Sequence, residues 1–111
     1  MKEFFDISGI PAALYGKRSD KVFLFVLGQF GCKEEAERFA EVANPLGWQV
    51  LAIDLPEHGG RKDGVKLLPW EVVPELQKVM QYAKANWQSI SLRATSIGSW
   101  FSLLAFKSER L

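Results

Sequence analysis

Near residue 96 the chain changes from a strand pattern to a helix pattern, and a serine stands at the change. Residues 89–94 alternate between polar and apolar side chains, as a half-buried strand does, and a helical spacing of apolar residues begins at Trp100. A sharp bend leaves room only for small residues two positions before and after the serine, and Ala94 and Gly98 are small. The pattern therefore predicts a strand, a sharp bend bearing Ser96 and a helix.

The bend would give the Ser96 hydroxyl two of the things that a nucleophile needs. It lifts Oγ clear of the sheet, and it begins a helix whose first backbone N–H groups, starting with that of Ile97, have no partner within the helix. Such N–H groups can bind a negatively charged oxygen. Serine is also common at helix N-termini as a cap. The pattern alone thus leaves both a nucleophile and a structural cap open.

Length and charge indicate one compact soluble domain over residues 1–111. Of the 111 residues 48% are hydrophobic, and 14 basic side chains stand against 13 acidic ones. Without a cluster of Lys and Arg, nothing indicates binding to nucleic acid or to a membrane surface. The longest apolar run, residues 22–27, is too short to cross a bilayer, and the N-terminus lacks a secretory pattern. A cytoplasmic location is expected.

One cysteine and one histidine limit the chemistry that the chain can hold. A single cysteine cannot form an internal disulfide, and the two residues match no metal-ligand spacing. The phosphate-binding motifs G-x-G-x-x-G and G-x-x-x-x-G-K-[ST] are both absent, which argues against a domain that binds a dinucleotide or a nucleoside triphosphate. We therefore expect neither a metal nor an organic cofactor.

Strand patterns occur at four places before the bend. Phe4 to Ser8 and Ala12 to Tyr15 flank a turn that contains Gly9. Lys21 to Leu27 is apolar after its first residue, which is typical of a parallel strand covered on both faces. Trp48 to Leu55 forms the fourth.

Two helical segments separate these strands. The first begins near Glu34, where acidic side chains favour a helix start, and ends at Pro45. The second begins at Val73 with Pro74 in its first turn, after a charged loop over residues 56–69. The alternation predicts an α/β fold of three layers: a mostly parallel sheet with an antiparallel N-terminal hairpin, helices on both faces and right-handed crossovers.

Three short motifs follow the antiparallel start in an order that a known superfamily shares. They are Leu27-Gly28-Gln29-Phe30-Gly31, Asp54-Leu55-Pro56-Glu57-His58-Gly59 and the bend Ala94-Thr95-Ser96-Ile97-Gly98. In these features the chain resembles the N-terminal portion of an alpha/beta-hydrolase, up to and including its nucleophile elbow. The resemblance implies a truncated alpha/beta-hydrolase fold.

The resemblance further implies a serine hydrolase that acts on an ester or a related acyl substrate. Ser96 would be the nucleophile, and the backbone N–H groups of Gln29 and Ile97 would form the oxyanion hole. Two residues depart from the superfamily pattern. Leu27 replaces the customary His of the oxyanion loop, and Ala94 replaces the first Gly of the elbow; neither change removes a backbone donor.

In this superfamily the acid and the histidine of the catalytic triad follow the serine. Fifteen residues follow Ser96, and they contain neither Asp nor His. We therefore expect the acid and the histidine in a missing C-terminal segment, and the chain alone to be inactive. His58 falls in the second motif, which the resemblance makes an architectural turn. A second hypothesis is a half-domain without catalytic activity that serves as a binding or assembly module.

The resemblance also implies that the strand at residues 89–95 pairs with a sixth strand that this sequence lacks. We expect its open edge to recruit a second copy, giving a homodimer, or the missing C-terminal segment. Arg93 and Leu92 lie on opposite faces of this strand, and a charge is unusual where both faces are covered. The large aromatic residues expected to pack in the core are Trp70, Trp87, Trp100 and Phe101.

Overall fold

The described part of the chain forms a five-stranded sheet with a helix on each face. A computed structural model describes residues 2–26, 36–53, 69–94 and Ala105. The strands are β1 (Lys2–Ile7), β2 (Ile10–Tyr15), β3 (Lys21–Val26), β4 (Gln49–Ile53) and β5 (Ser89–Ala94). The helices are α1 (Ala36–Ala43), which continues into a 3-10 turn (Asn44–Leu46), and α2 (Pro69–Asn86).

The order of strands across the sheet is β1-β2-β4-β3-β5. β2 pairs antiparallel with β1 and with β4, whereas β3 pairs parallel with both β4 and β5. The mostly parallel sheet with an antiparallel N-terminal hairpin is therefore confirmed. Since β5 has β3 as its neighbour among the described strands, it lies at an edge of the described sheet.

A two-residue turn joins β1 to β2. Ser8 and Gly9 have φ values of 52° and 87°, and Ile7 pairs with Ile10 across the ladder. Positive φ at both central residues is the geometry that suits a tight hairpin, because its twist matches that of the strands. The second strand consequently begins at Ile10, earlier than the predicted start at Ala12.

The strand covered on both faces is β4 rather than β3. Every residue of β4 is buried. In β3 the residues that face α2 are buried, but Phe23 and Phe25, which face α1, are half-buried. The apolar run of β3 predicted cover on both faces, and this expectation was wrong for the α1 face. Helix α1 packs mainly over β2 and β4, so it reaches β3 through one ring, that of Phe39.

Two apolar cores lie on opposite faces of the sheet. The α2 face buries side chains from β1 to β4 and from α2, and the partly buried Ile90 and Leu92 of β5 pack against them. The centre of this core is formed by Val22, Leu24, Val26, Leu51, Ile53, Val72, Leu76, Val79, Met80 and Ala83. The α1 face buries smaller residues, namely Ala13, Tyr15, Ala36, Ala40, Ala43, Val50 and Ala52. Ala105, which is helical and buried, belongs to the α2 core. Helices on both faces of the sheet are therefore confirmed.

Helix α2 begins four residues earlier than its apolar spacing predicted. It starts at Pro69, so Pro74 lies inside the helix and not in its first turn. Pro74 has no N–H to donate to the carbonyl of Trp70, four residues earlier in the helix. Trp70 itself is 69% exposed. Trp70 was expected in the core, and this expectation was wrong, because Trp70 lies on the outer surface of the first turn of α2. Trp87 is buried as expected.

Candidate functional site

The three parallel strands β3, β4 and β5 end side by side, so their carboxyl ends lie together at one end of the sheet. Val26, the last residue of β3, pairs with Ile53 of β4 on one side and with Ala94 of β5 on the other. Val26 and Ile53 are both buried, so the residues beneath the ends of these strands are apolar. In open parallel sheets, ligands bind outside the carboxyl ends of the strands. The loops that carry the three sequence motifs leave from this edge.

The predicted catalytic residues lie outside the described residues. These are Ser96, Ile97 and Gln29, and His58 of the second motif is outside them as well. Their contacts and distances to one another therefore remain predictions. The described sheet does show the strand ends that precede these residues, namely Val26, Ile53 and Ala94.

Those departure points are close together. Ser96 follows Ala94 by two residues, and Gln29 follows Val26 by three. Adjacent strands lie roughly 4.8 Å apart, so the segments predicted to form the elbow and the oxyanion loop begin from neighbouring positions. The pairing of Val26 with Ala94 thus meets a geometric requirement of an oxyanion hole that draws one N–H from each loop.

The two faces of β5 differ in chemistry. Ile90 and Leu92 face the α2 core, where they are half-buried. Ser89, Ser91 and Arg93 occupy the other face, and Arg93 is exposed with its guanidinium carbon 5.2 Å from the centre of the Phe39 ring. A cation over an aromatic face is attracted by the ring quadrupole. Arg93 therefore lies on the opposite face from Leu92, as the alternation predicted. The structure shows that this face is the α1 side, where the guanidinium lies over the Phe39 ring.

A separate hollow of about 600 Å³ opens at the amino ends of the strands. Lys17, Arg18 and Trp48 contribute to its lining. It lies at the opposite edge of the sheet from the candidate site and cannot form part of it. Within residues 2–26, 36–53 and 69–94, no group of three His, Cys, Asp or Glu side chains could hold a metal ion. No helix among them is both long and apolar enough to cross a membrane.

The chain matches no protein-family model, and no curated protein sequence is similar to it. Solved structures do resemble it. Est1E from Butyrivibrio proteoclasticus, solved with ferulic acid bound, is 23% identical with a TM-score of 0.75; the match covers 97% of this chain and 48% of Est1E. The thioesterase domain from the curacin biosynthetic pathway is 19% identical with a TM-score of 0.74, over 96% of this chain and 40% of that domain.

An epoxide hydrolase from Vigna radiata is 17% identical with a TM-score of 0.73, and the match covers 95% of this chain and 33% of the hydrolase. The chain thus spans about half the length, or less, of these structures. At such low identities the likeness establishes the fold. The chain has the alpha/beta-hydrolase fold, over the part that precedes and includes the fifth strand of the described sheet.

Proposed function

We propose that this chain carries the nucleophile and the oxyanion hole of a serine hydrolase that acts on an ester or a related acyl substrate. The observation that supports this most directly is the pairing of Val26 with Ala94. Because these two residues pair, the Ala-Thr-Ser-Ile-Gly segment and the Leu-Gly-Gln-Phe-Gly segment follow adjacent strands, at the carboxyl ends of the parallel strands in a sheet with the alpha/beta-hydrolase strand order.

In the proposed reaction Ser96 Oγ attacks the acyl carbonyl carbon. A bond forms between Oγ and this carbon, and the carbonyl π electrons move onto oxygen. The backbone N–H groups of Gln29 and Ile97 donate hydrogen bonds to that oxyanion. Collapse of the tetrahedral intermediate breaks the bond to the leaving group, which departs with a proton, and water then cleaves the acyl-enzyme.

The base that takes the Ser96 proton is a histidine, oriented by an acid. In the alpha/beta-hydrolase order both follow the serine, and residues 97–111 contain neither an Asp nor a His. The proposal therefore places both groups on a further segment or a partner chain. The proposal gives His58 and Glu57 no catalytic role.

Among solved structures with this fold, the named activities support the hydrolase assignment. Est1E was solved with ferulic acid bound, and the curacin domain is a thioesterase. A thioesterase acts on an acyl compound, which is the substrate class of the proposed serine chemistry.

A half-domain without catalytic activity is the second candidate. The observation that favours it is the edge position of β5 together with the polar residues on one of its faces, Ser89, Ser91 and Arg93. Such an edge can recruit a strand from a second copy or from a C-terminal segment. The function would then be assembly, and Ser96 would serve as a helix cap.

Labelling with a fluorophosphonate distinguishes the two candidates, because the reagent reacts with an activated serine and not merely an exposed one. The polypeptide encoded by the whole reading frame is expected to be labelled. Ser96→Ala should abolish labelling, whereas the matched control Ser99→Ala, three residues away, should retain it. Absence of labelling in a folded protein would contradict the hydrolase proposal and favour the half-domain.

A further inference from the structure

Strand β1 forms the edge of the described sheet that lies opposite to β5. It pairs with β2 on one side, and the further strand that the superfamily resemblance implies would join the sheet beside β5. The edge at β1 is therefore not the one that such a strand would cover. Its six residues are Lys-Glu-Phe-Phe-Asp-Ile, of which the first three and the fifth are exposed.

The backbone of β1 directs hydrogen-bonding groups outward at alternate residues. Ile7 and Ile10 flank the two-residue turn, so they form a hydrogen-bonded pair of the ladder between β1 and β2. In an antiparallel ladder such pairs alternate with pairs whose N–H and C=O groups point away from the neighbouring strand. The groups of Lys2, Phe4 and Asp6 therefore point toward the outer edge, and an added strand would bond to β1 through these three residues.

The same three residues carry their side chains on one face of the sheet. Phe4 pairs in register with Ala13, which belongs to the α1 core, so Lys2, Phe4 and Asp6 all lie on the α1 face. Phe4 is 51% exposed. Lys2 Nζ lies 5.5 Å from the centre of the Phe4 ring and 3.5 Å from Glu37 Oε1, in an ion pair that solvent reaches on both sides. Along this face the edge thus presents a cation, an aromatic ring and a carboxylate at equal spacing.

We propose that β1 pairs antiparallel with β1 of a second copy of this chain, about a two-fold axis through Phe4. In this register Phe4 lies opposite Phe4 of the partner subunit, and Lys2 of each chain lies opposite Asp6 of the other, since a two-fold contact is reciprocal. The outward N–H and C=O groups of both edges form the hydrogen bonds between the chains. The two sheets become continuous, and the interface is independent of the Ser96 chemistry.

Charge selects this register over its neighbours. Side chains that lie opposite each other share a face, so the axis must pass through a residue of β1 and not between two residues. An axis through Glu3 would place the Glu3 carboxylates of the two chains opposite each other, and like charges there are destabilising. An axis through Phe5 would leave Lys2 without an acidic residue across from it. An axis through Phe4 forms an opposite-charge pair on each side of the aromatic pair.

The first test is a cysteine at the axis, in a Cys32→Ser background that removes the native thiol. An edge of six residues is small, so the association is weak and is captured by crosslinking. Phe4→Cys would place two Cα atoms roughly 5.5 Å apart, which a disulfide spans. In the matched control Glu3→Cys the two Cα atoms would be roughly 8 Å apart, which is too far.

Mild oxidation followed by non-reducing electrophoresis should therefore give a disulfide-linked dimer for Phe4→Cys and little for Glu3→Cys. Equal crosslinking of the two variants would contradict the register. Association through β5 alone would leave residue 4 uncrosslinked and would overturn the proposal.

The second test reverses one charge at a time in the Phe4→Cys chain. Lys2→Asp leaves two carboxylates along the edge, and Asp6→Lys leaves two ammonium groups, so each variant alone should form crosslinked dimer about fivefold or more slowly. An equal mixture should recover the rate, because opposite charges then face each other. Intact mass spectrometry should identify the product as the mixed dimer.

Lys78→Asp, an exposed charge reversal on α2, is the control and should crosslink at the unchanged rate. The substituted side chains are exposed, so circular dichroism should show unchanged folding. A mixture that forms no excess of the mixed dimer, or a Lys78→Asp effect as large as that of Lys2→Asp, would overturn the proposed pairing of Lys2 with Asp6.

Discussion

The indole Nε1 of Trp87 donates a hydrogen bond of 2.7 Å to Oε1 of Gln49, and both side chains are buried. The same oxygen accepts a hydrogen bond from the backbone N–H of Ser19 at 3.2 Å, while Nε2 of Gln49 donates to the carbonyl of Gly16 at 3.3 Å. One amide therefore joins the residue after α2, the first residue of β4 and the connection between β2 and β3.

Loss of this amide is expected to destabilise the fold. Gln49→Leu keeps the volume but leaves the indole N–H and the Ser19 N–H without their acceptor. We expect the free energy of unfolding to fall by about 2–4 kcal/mol, measured by urea denaturation. Gln77→Leu, at an exposed position of α2, is the control and should change stability by about 0.5 kcal/mol or less. A loss equal to the control would show that the hydrogen bonds contribute nothing.

Trp87→Phe in the Gln49→Leu background should cost less than Trp87→Phe alone. In the native chain the substitution removes the donor of the 2.7 Å hydrogen bond as well as packing, whereas in the variant the hydrogen bond is already gone. A double-mutant cycle measures the coupling, which we expect to be about 1 kcal/mol. Additive effects of the two substitutions would contradict a shared hydrogen bond.

Two glycines with positive φ allow a matched comparison of strain and crowding. Gly16 has φ +106° and Gly47 has φ +89°, but a Cβ at Gly16 would lie 2.5 Å from Nδ2 of Asn44, whereas a Cβ at Gly47 would meet nothing within 4 Å. Asn44 Nδ2 also donates to the Trp48 carbonyl at 2.8 Å.

Gly16→Ala must therefore displace the Asn44 amide. We expect Gly47→Ala to cost about 1 kcal/mol from backbone strain and Gly16→Ala to cost about 1–2 kcal/mol more. The urea midpoints of the two variants, with unchanged slopes, give this difference. Equal losses would mean that Asn44 moves aside without cost.

Pro74 is expected to destabilise α2 in its present place. Pro74→Ala restores an N–H that can donate to the carbonyl of Trp70, and alanine is the better helix former. Proline also lowers the entropy of the unfolded chain by about 0.4–1 kcal/mol, which opposes the gain. The net expectation is a stabilisation of about 1–2 kcal/mol in thermal and urea unfolding. Gln77→Ala is the control, and a decrease in stability for Pro74→Ala would show that α2 depends on its proline.

The sequence predicted the strands well because their patterns are local. The alternation at β5 gave its observed bounds, Ser89–Ala94, and the strand order of the described sheet agrees with the superfamily resemblance. The sequence-based prediction was wrong where the burial of a residue depends on tertiary packing. Nothing in the apolar run of β3 distinguishes Phe25, which is half-buried on the α1 side, from Leu24, which is buried on the α2 side.

The same limit applies to helix ends and to charges. Pro74 predicted a helix start because proline fits a first turn, but α2 extends back to Pro69. Arg93 could be placed on the correct face by alternation, yet its position over Phe39 depends on how α1 crosses the sheet. Gln49 also stands out in sequence, as an amide that begins an apolar strand. Its pairing with Trp87 depends on a contact between residues 38 positions apart.

The 111-residue chain should hydrolyse p-nitrophenyl acetate no faster than its Ser96→Ala variant. Without a histidine base the serine keeps at most the help of the oxyanion hole, which is small beside a complete triad. Stopped-flow or plate-reader absorbance of p-nitrophenolate measures the rate. A turnover that Ser96→Ala abolishes would contradict this prediction, and its loss in His58→Ala as well would make His58 the base.

The open edge of β5 should make the 111-residue chain associate. Within the described sheet β5 hydrogen-bonds to β3 on one side, so part of its backbone polar groups face outward along six residues. Antiparallel pairing of two β5 strands about a two-fold axis would satisfy these groups and would continue each face of the sheet across the interface. It would also bring Arg93 and the predicted elbow of each subunit near the axis. Light scattering at tens of micromolar is expected to give twice the mass of one chain. A monomeric mass, together with slow hydrogen exchange at the amides of residues 89–94, would contradict the prediction, because the edge would then be covered from within the same chain.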